Sequence, residues 1–433
     1  MDNAENNRPI AIDLFAGAGG LGLGFEQAGF DVPAAVEIDP VHAVVHQFNF
    51  PRCEIIPRSV KTLTGKDIRR AAKLSKKRKI DVVIGGAPCQ GFSIMGRRSL
   101  SDPRNSLVKD FIRLVEELQP RYFVFENVKG LTLARNRPFL DEVIEEVAAI
   151  GYVLVAPWQV LNACNYGLPQ NRERLFLLGM RKGAIPPQYP TATSKAVTCA
   201  EALADLPDAE QFDELLHRGE VRTTLAKPIS RYATLLRCTS KAGWYYGYRR
   251  QWNAKLLTNS IRTNHSGRSR ARFAKTIPGH REPISHFFRL SPDGICNTLR
   301  AGTDSARGSF TSPRPIHYRY PRCITVREMA RLHGFPDWFR LHSTKWHGAR
   351  QVGNSVPPPL ARAIATEILK ALGHKPTAPE LTLPAGDERL LTMTAETAAH
   401  YWGIQSPIRQ RDRKVLLKED RKPTPDSSTV LAS

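Results

Sequence analysis

The sequence predicts an α/β protein, a mostly parallel sheet with helices on both faces, joined to a smaller basic domain. Three observations predict it. Over residues 8–180 short apolar runs alternate with longer amphipathic stretches, the pattern of strands linked by helices. A glycine-rich turn follows the first apolar run, where such folds pass a strand into a helix beside a ligand. From Arg181 the alternation fades into a strongly basic stretch.

The elements follow in order. IAIDLF (10–15) is a short apolar run and reads as a buried strand, then the glycine turn and a helix. VPAAVEID (32–39) is a second strand, followed by a helix through Phe48. A basic helix is expected over 65–79, and DVVIGG (81–86) is a strand ending in a loop. A helix is expected from Asn105 to Gln119, a strand in RYFVFENV (121–128) and a helix in FLDEVIEEVAAI (139–150). VLVAPWQVL and RLFLLGM complete the pattern. Further on, TVREMARLHGF is helical, and PPPLARAIATEILKALG is a helix with proline at its start. The expected organisation is a first domain over 8–180, a basic domain over 181–320, a return segment to the first domain over 321–373, and an extension over 374–433. That extension carries Pro376, Pro379 and Pro384, one short helix within DERLLTMTAETAAHYWGI, and a final dozen residues expected to be disordered.

Composition narrows the function. A chain of 433 residues suggests two or three domains at roughly 150 residues each. With 41% hydrophobic and 8% aromatic residues, wholesale disorder is excluded. No apolar run approaches the ~18 residues of a membrane helix, and the first residues lack the pattern of a secretory signal. Lys and Arg number 63 against 41 acids, a net +22, which points to a polyanion, most simply nucleic acid. The seven cysteines include no CxxC pair and are odd in number, so a reduced, cytoplasmic protein without zinc knuckle or disulfide framework is expected. Residues 222–289 hold fifteen Lys or Arg and one acid, Glu282. Tyr232, Trp244, Tyr245, Tyr246, Tyr248, Trp252, Phe273, Phe287 and Phe288 interleave with them. Aromatics and Gly/Ser turns argue for a folded nucleic-acid-facing module rather than a solvated charged face.

Two loops carry chemistry. DLFAGAGGLGLGF (13–25) follows a strand and opens a helix. Its glycines let the backbone turn sharply against a ligand, and the helix start offers free amides. Glu37, about twenty residues on, ends the next strand, placed to accept ribose hydroxyls. The spacing is not a clean GxGxxG, which argues against a pyrophosphate dinucleotide; a tight turn without ligand is the plainer alternative. GGAPCQGFS (85–93) follows the strand DVVIGG. Pro88 stiffens the loop so that the Cys89 thiol points one way, and a thiolate is the side chain that best attacks an electron-poor ring carbon.

These residues bring a resemblance into view. The chain resembles the DNA (cytosine-5)-methyltransferases, of the prokaryotic restriction–modification type, over about 10–190 and 295–372. Six blocks occur in that family's order: DLFAGAGG, GGAPCQGFS, DPRNSL (102–107), FENV (125–128), QNRERLF (170–176) and GNSVPPPLA (353–361). The resemblance implies a Rossmann-like, S-adenosylmethionine-dependent sheet, with S-adenosyl-L-methionine as methyl donor and S-adenosyl-L-homocysteine as product. It implies Cys89 as the nucleophile on carbon 6 of cytosine, Glu126 at ring nitrogen 3, and Arg174, more loosely Arg172, at the base carbonyl. Arg172 and Arg174 lie two apart in an expected strand and share a face; a phosphate contact is the alternative for Arg172.

The same resemblance places Phe15 against adenine and carries cofactor contacts onto Gly17, Ala18, Gly19, Gly20, Glu37, Ile38, Ser59, Val60, Pro88, Leu107, Asn354 and Ser355. It makes 181–320 the target-recognition domain, with RLSPDGICNTLRAGT (289–303) matching the family's Thr-Leu segment through Thr298 and Leu299. A cytosine stacked in duplex DNA must be flipped out to reach Cys89. Loop residues 90–104, with hinge freedom at Gly91 and Gly96, are expected to close over the DNA. Expected DNA contacts are Gln90, Ser93, Arg97, Arg98, Arg104, Arg268, Arg270, Arg272, Arg300 and Arg307.

Two positions depart from the family. Ser59 stands where an Asp commonly meets the adenine amino group, and Ile38 where some members carry an aromatic. His42 and His46 have a helical metal spacing but no third ligand, and no metal is expected; His265, His280 and His286 are expected to touch phosphate or pack locally. The competing readings are an RNA (tRNA) cytosine-5 methyltransferase, disfavoured by the large basic insert, and a non-catalytic DNA-binding protein on the same scaffold. A nicotinamide oxidoreductase leaves the PCQ, ENV and QNRER blocks unexplained. The expected enzyme is a monomer that binds double-stranded DNA, with a cognate restriction endonuclease acting separately.

Overall fold

The computed structural model describes residues 8–87, 106–133, 136–192, 195–302 and 314–405. Its centre is an eight-stranded sheet. Strands β1 (Ile10–Leu14), β2 (Asp31–Val36), β3 (Glu54–Ile56), β4 (Val82–Gly85) and β5 (Tyr122–Val128) run parallel in the order β3-β2-β1-β4-β5. The chain builds outward from β1 to β3, then crosses to β4 on the other side of β1. That reversal opens a crevice at the carboxyl ends of β1 and β4, where ligands bind in such sheets. Beyond β5 the strands β6 (Tyr152–Leu154), β7 (Gln159–Asn162) and β8 (Glu173–Arg181) are antiparallel, with β8 paired to β5 and both shorter strands paired to β8.

Side-chain alternation sorts each strand between two cores. Ile12, Leu14, Val83, Phe123, Phe125, Leu175 and Leu177 face one layer of helices, α3 (Gly65–Ala71), α4 (Ser106–Leu118) and α5 (Arg137–Ala149). Ala11, Val82, Ile84, Tyr122, Val124, Phe176 and Leu178 face the other layer. There α1 (Gly20–Ala28) packs beside a helix near the end of the chain, Pro358–Leu372. Burial on both faces is what the continuous apolar strand sequences require. Gly24 permits the close crossing of those two helices: a Cβ there would lie 2.3 Å from the Ala361 Cβ. The expected α/β class and its two helical layers are therefore observed.

The expected basic helix over 65–79 is shorter. It ends at Ala71, and the Arg69 guanidinium bonds the carbonyls of Ser75 and Arg78 to fold the remainder into turns. Four cations in Lys76–Lys79 repel one another along a continued helix, which is the reason for the stop.

A third core gathers α2 (Pro40–Asn49) with residues from the basic region, the return segment and the extension. It includes Val44, Phe48, Cys199, Trp244, Leu257, Cys296, Leu299, Met329, Phe339, Leu390 and Ala398. The basic region folds as short helices, α6 (Cys199–Leu203), α7 (Arg231–Leu236), α8 (Lys241–Trp244) and α9 (Gly267–Lys275), with strand pairs of two residues. Buried ion pairs hold it: Arg331 joins Asp205 and Asp337, and Arg322 joins Glu328 and Asp208. The helices α10 (Val326–Leu332), α11 (Lys345–Asn354) and α12 (Pro358–Leu372) return the chain to the sheet. Residues 374–405 are docked rather than trailing. Thr382–Leu383 pairs with Arg249–Arg250, the Ser343 amide donates to the Leu391 carbonyl at 2.9 Å, and helix α13 (Ala395–Tyr401) lies against α2. The final residues expected to be disordered lie outside the described residues.

Candidate active site

Register places the site. Leu14 pairs with Gly85 and Gly85 with Phe125, so β1 and β4 end level with one another while β5 runs on past them to Val128. Phe15, Gly86 and Glu126 are then the first residues past that line. Glu126 shares strand parity with Val124, Arg174 with Phe176, so both side chains leave the sheet on one face. They meet there, Arg174 Nε lying 3.0 Å from Glu126 Oε1. Burial raises the Glu126 carboxyl above its ordinary range, opposed by Arg174 and then Arg172. Gly86 leaves room for the carboxylate, since a Cβ there would sit 2.6 Å from Glu126 Oε2. Next to Glu126, the Asn127 amide donates to the Ala87 carbonyl at 3.1 Å, and its oxygen accepts the Val128 amide at 2.8 Å. Asn127 thus ties the carboxylate strand to the loop that leads into Pro88 and Cys89. Pro88 and Cys89 themselves lie outside the described residues, as do Gln90, Ser93, Arg97, Arg98, Arg104 and Arg307.

Arg172 is used differently from the sequence expectation. It is buried, and its guanidinium donates to the carbonyls of Leu299, Gly353 and Ser355 at 3.0, 2.8 and 2.9 Å. With these bonds made, it joins the arginine block to the Thr-Leu segment and to the final block; it is committed to backbone rather than turned to a base carbonyl or a phosphate. Two residues not singled out from sequence complete the junction. Gln170 accepts the Leu299 amide at 3.2 Å, and its amide nitrogen lies 3.0 Å from His333 Nδ1. His333 Nε2 lies 3.0 Å from the Ser355 carbonyl. A carbonyl only accepts, so Nε2 carries the proton and Nδ1 accepts from Gln170. Burial, then the nearby Arg172, push the His333 pKa well below its ordinary value and keep the ring neutral. The signal for this junction was absent from local sequence, because the partners of Arg172 and Gln170 lie 127 to 183 residues away.

On the crevice side, Phe15 has φ 61°, a left-handed conformation uncommon for a non-glycine residue. Gly17 has φ 56°, and nothing lies within 4 Å of the place its Cβ would take. Gly19 has φ 100°, and a Cβ there would strike the Phe50 ring at 2.3 Å. Gly20 passes 2.5 Å, on the same measure, from the Val356 carbonyl, and Ala18 is buried. Glu37 is buried and accepts the amides of Gly17 and Asp39, each at 2.7 Å. Ile38 is 61% exposed beside it. Ser59 caps a 3₁₀ turn by accepting the Lys61 amide, Val60 is buried, and Leu107 packs half-buried at the start of α4. Asn354 is exposed at the end of α11, while Ser355 is buried with its hydroxyl on the Gln351 carbonyl. The exposed apolar Ile38, the open space at Gly17 and the amides gathered by Glu37 fit an adenosyl group, apolar at its base and hydroxylated at its ribose.

Comparison with known proteins decides the family. The family model for C-5 cytosine-specific DNA methylases matches residues 10–370. The chain belongs to that family. It is 55% identical over 409 residues to the Type II methyltransferase M.XorII of Xanthomonas oryzae pv. oryzae, covering 94% of this chain and 96% of that one. It is 33% identical over 366 residues to the Type II methyltransferase M1.HphI of Haemophilus parahaemolyticus, covering 83% and 86%. A crystal structure described as a DNA modification methyltransferase encoded within an E. coli prophage superposes with TM-score 0.70 at 34% identity, covering 84% of this chain and all of that one. The protein is a DNA cytosine-5 methyltransferase.

Three further features bear on how this methyltransferase works. All six described cysteines have their thiols pushed up by burial, Cys199 to about 12 and Cys323 to about 11. None of them is poised to ionise. The arginines of α9 divide. Arg268 is exposed, whereas Arg270 pairs with Glu210 and Arg272 lies 3.2 Å from Glu282. Arg300 is exposed. His46 is buried against the Phe50 ring, with its pKa pushed down to about 3, and His42 is buried beside it. Among the described residues no group of three potential metal ligands gathers.

Proposed function

We propose that this enzyme flips a cytosine out of duplex DNA and methylates its carbon 5, with Cys89 as nucleophile and S-adenosylmethionine as donor. The observation that carries the reading is the Glu126–Arg174 pair, a carboxyl raised by burial and a guanidinium at the mouth of the crevice. Cys89 is favoured as nucleophile because burial disfavours the thiolate at the other six cysteines.

The Cys89 thiolate bonds to carbon 6, and the ring electrons it displaces move toward nitrogen 3 and the ring carbonyl. Glu126 shares its proton at nitrogen 3 and Arg174 steadies the carbonyl, which makes carbon 5 enamine-like. When bound, S-adenosylmethionine supplies the electrophilic methyl group that carbon 5 takes up. Loss of the carbon-5 proton to a base then expels the Cys89 thiolate and restores the ring. Phe15, Gly17, Glu37, Ile38 and Asn354 are the residues that would hold the cofactor, with Ser355 adjoining; Pro88 is carried over from the family resemblance alone. Arg172, His333 and Gln170 fix the frame around them.

The relatives' Type II names support a role as the modification partner of a separate restriction endonuclease; that the enzyme works as a monomer in the cytoplasm belongs to the same proposal. Among the described residues no helix is long and apolar enough to cross a membrane. The test is methyl transfer from labelled S-adenosylmethionine to unmethylated genomic DNA, with Cys89→Ser in parallel, followed by sequencing for 5-methylcytosine. Methylation at one short motif, lost in Cys89→Ser, is expected. Label in transfer RNA and none in DNA would overturn the reading.

A further inference from the structure

We infer that base reading is carried by a hairpin tip at residues 279–289, with Arg281 as a specificity-determining residue; this rests on the methyltransferase reading above. The arginines of α9 that the sequence offered for this task are partly spent: Arg270 and Arg272 face Glu210 and Glu282. The hairpin is different. It is closed by backbone bonds from Gly279 to the Arg289 carbonyl, Arg289 to the His280 carbonyl, and Glu282 to the Phe287 carbonyl, each 2.8 Å. Glu282 points inward, 1% exposed, accepting the Ser285 amide and meeting Arg272. The single acid of the basic stretch therefore anchors the hairpin from below. What the tip presents outward is Arg281, His286 and Ile284, the last 66% exposed.

Across from the tip runs the Thr-Leu segment. Arg281 and His286 on one wall face Asn297, Thr298 and Arg300 on the other, with Asn171 alongside, around an open groove. Neither Arg281 nor Arg300 has an ion-pair partner among the described residues. Between these two forked donors lie the Asn297 amide, able to donate and accept, and the Thr298 hydroxyl, whose proton is held by the Asn171 carbonyl and which can still accept. Phosphates present acceptors only, whereas base edges in the major groove present both, together with the thymine methyl that Ile284 can meet. The groove is also fixed to the reacting centre. Thr298 donates its hydroxyl to the Asn171 carbonyl at 2.7 Å, and the Asn171 amide donates to the Cys296 carbonyl at 2.8 Å. Asn171 precedes Arg174 by three residues, at most about 10 Å of extended chain. A groove so close to the flipped base lies over its immediate neighbours. A guanine there, met at O6 and N7 by the Arg281 fork, is the base this geometry selects.

The experiment uses the full-length enzyme and synthetic duplexes carrying the motif found for the wild type, with each base pair replaced in turn. For Arg281→Ala, kcat/KM on the cognate duplex is expected to fall about 5- to 150-fold, and discrimination at one position to collapse while the others keep theirs. Arg281→Lys keeps the charge and loses the fork, and is expected to lose the same discrimination. Arg268→Ala, on the exposed face of α9, should instead weaken all duplexes by a common factor. A common factor for Arg281→Ala, rescue by Arg281→Lys, or no change would each overturn the inference while the activity of the wild type stands. A wild type that methylates no duplex overturns the methyltransferase reading and this one with it. Arg281 is exposed, so unchanged melting of the variants is the control on folding.

Discussion

Glu126 and Arg174 are diagonal neighbours on one face of the β5–β8 ladder. Arg174 pairs in register with Val128, two residues from Glu126, and the long guanidinium arm closes the gap to 3.0 Å. The pair sets burial, which holds the carboxyl above its ordinary range, against a fixed positive charge beside it. Glu126→Gln keeps shape and removes the titrating group, and is expected to lower kcat about 10²- to 10⁴-fold with little change in cofactor affinity. Single-turnover methyl transfer to a cognate duplex checks it, and a retained kcat would remove Glu126 from the chemistry.

The pH dependence follows from the same pair. The folded chain raises the Glu126 carboxyl above the value of about 4.3 of an unfolded glutamate. Folding thus binds that proton more tightly, so this group favours the fold below about pH 4.3 and the contribution is lost as pH rises through the raised value. Protonated Glu126 declines over the same window. Arg174 is the largest charge opposing the shift, so Arg174→Ala should move the limb of kcat/KM that needs the proton to higher pH, besides lowering its height. A profile that keeps its position shows that the limb belongs to another group.

Arg172 should behave unlike Arg174 although two residues away. Arg172→Ala strips donors from three carbonyls inside the protein, and each unpaired group costs about 1–3 kcal/mol. A loss of at least about 3 kcal/mol in urea unfolding is expected, with activity lost through the fold. Arg174→Ala, nearer the surface of the crevice, should melt close to the wild type and lose kcat.

What local sequence could carry, it carried. Strand and helix periodicity placed β1, β2, β4 and β5, because their apolar runs are contiguous, and the ENV and QNRER blocks placed Glu126 and Arg174. The roles of Arg172, Gln170 and His333 were not legible, since their partners come from the far end of the chain and nothing in the spacing names a carbonyl. The arginines of α9 looked equivalent in sequence; only Glu210 and Glu282, brought in by the fold, separate Arg270 and Arg272 from Arg268. The docking of segment 374–405 was hidden for the same reason: the sequence showed an extension with three prolines and one short helix, and nothing in it named α2 as the surface on which Leu390, Leu391 and Ala398 are buried.

The glycine loop separates a folding residue from a binding residue. Gly19→Ala must fit a Cβ 2.3 Å from the Phe50 ring at φ 100°; a melting temperature lower by several degrees is expected. Gly17→Ala meets no protein atom and carries only the left-handed strain, about 1 kcal/mol. Its effect should fall on S-adenosylmethionine, as a weaker Kd by calorimetry. Equal loss of stability in both variants would argue that the space at Gly17 holds no ligand.

Salt separates the arginines that touch DNA from those that hold the protein. With roughly 6–10 phosphate contacts, duplex affinity should fall about 10³- to 10⁵-fold between 50 and 200 mM salt. Arg268 is exposed on α9 and has no ion-pair partner among the described residues, so Arg268→Ala should lower the slope of log K against log salt by about one. Arg270 is committed to Glu210 and to the His265 carbonyl, so Arg270→Ala should leave the slope alone and reduce stability instead. Fluorescence anisotropy across a salt series, with melting curves for both variants, reads the two effects separately. A slope lowered equally by both substitutions would mean that the Arg270–Glu210 pair opens on DNA, and that α9 lies flat along the phosphate backbone.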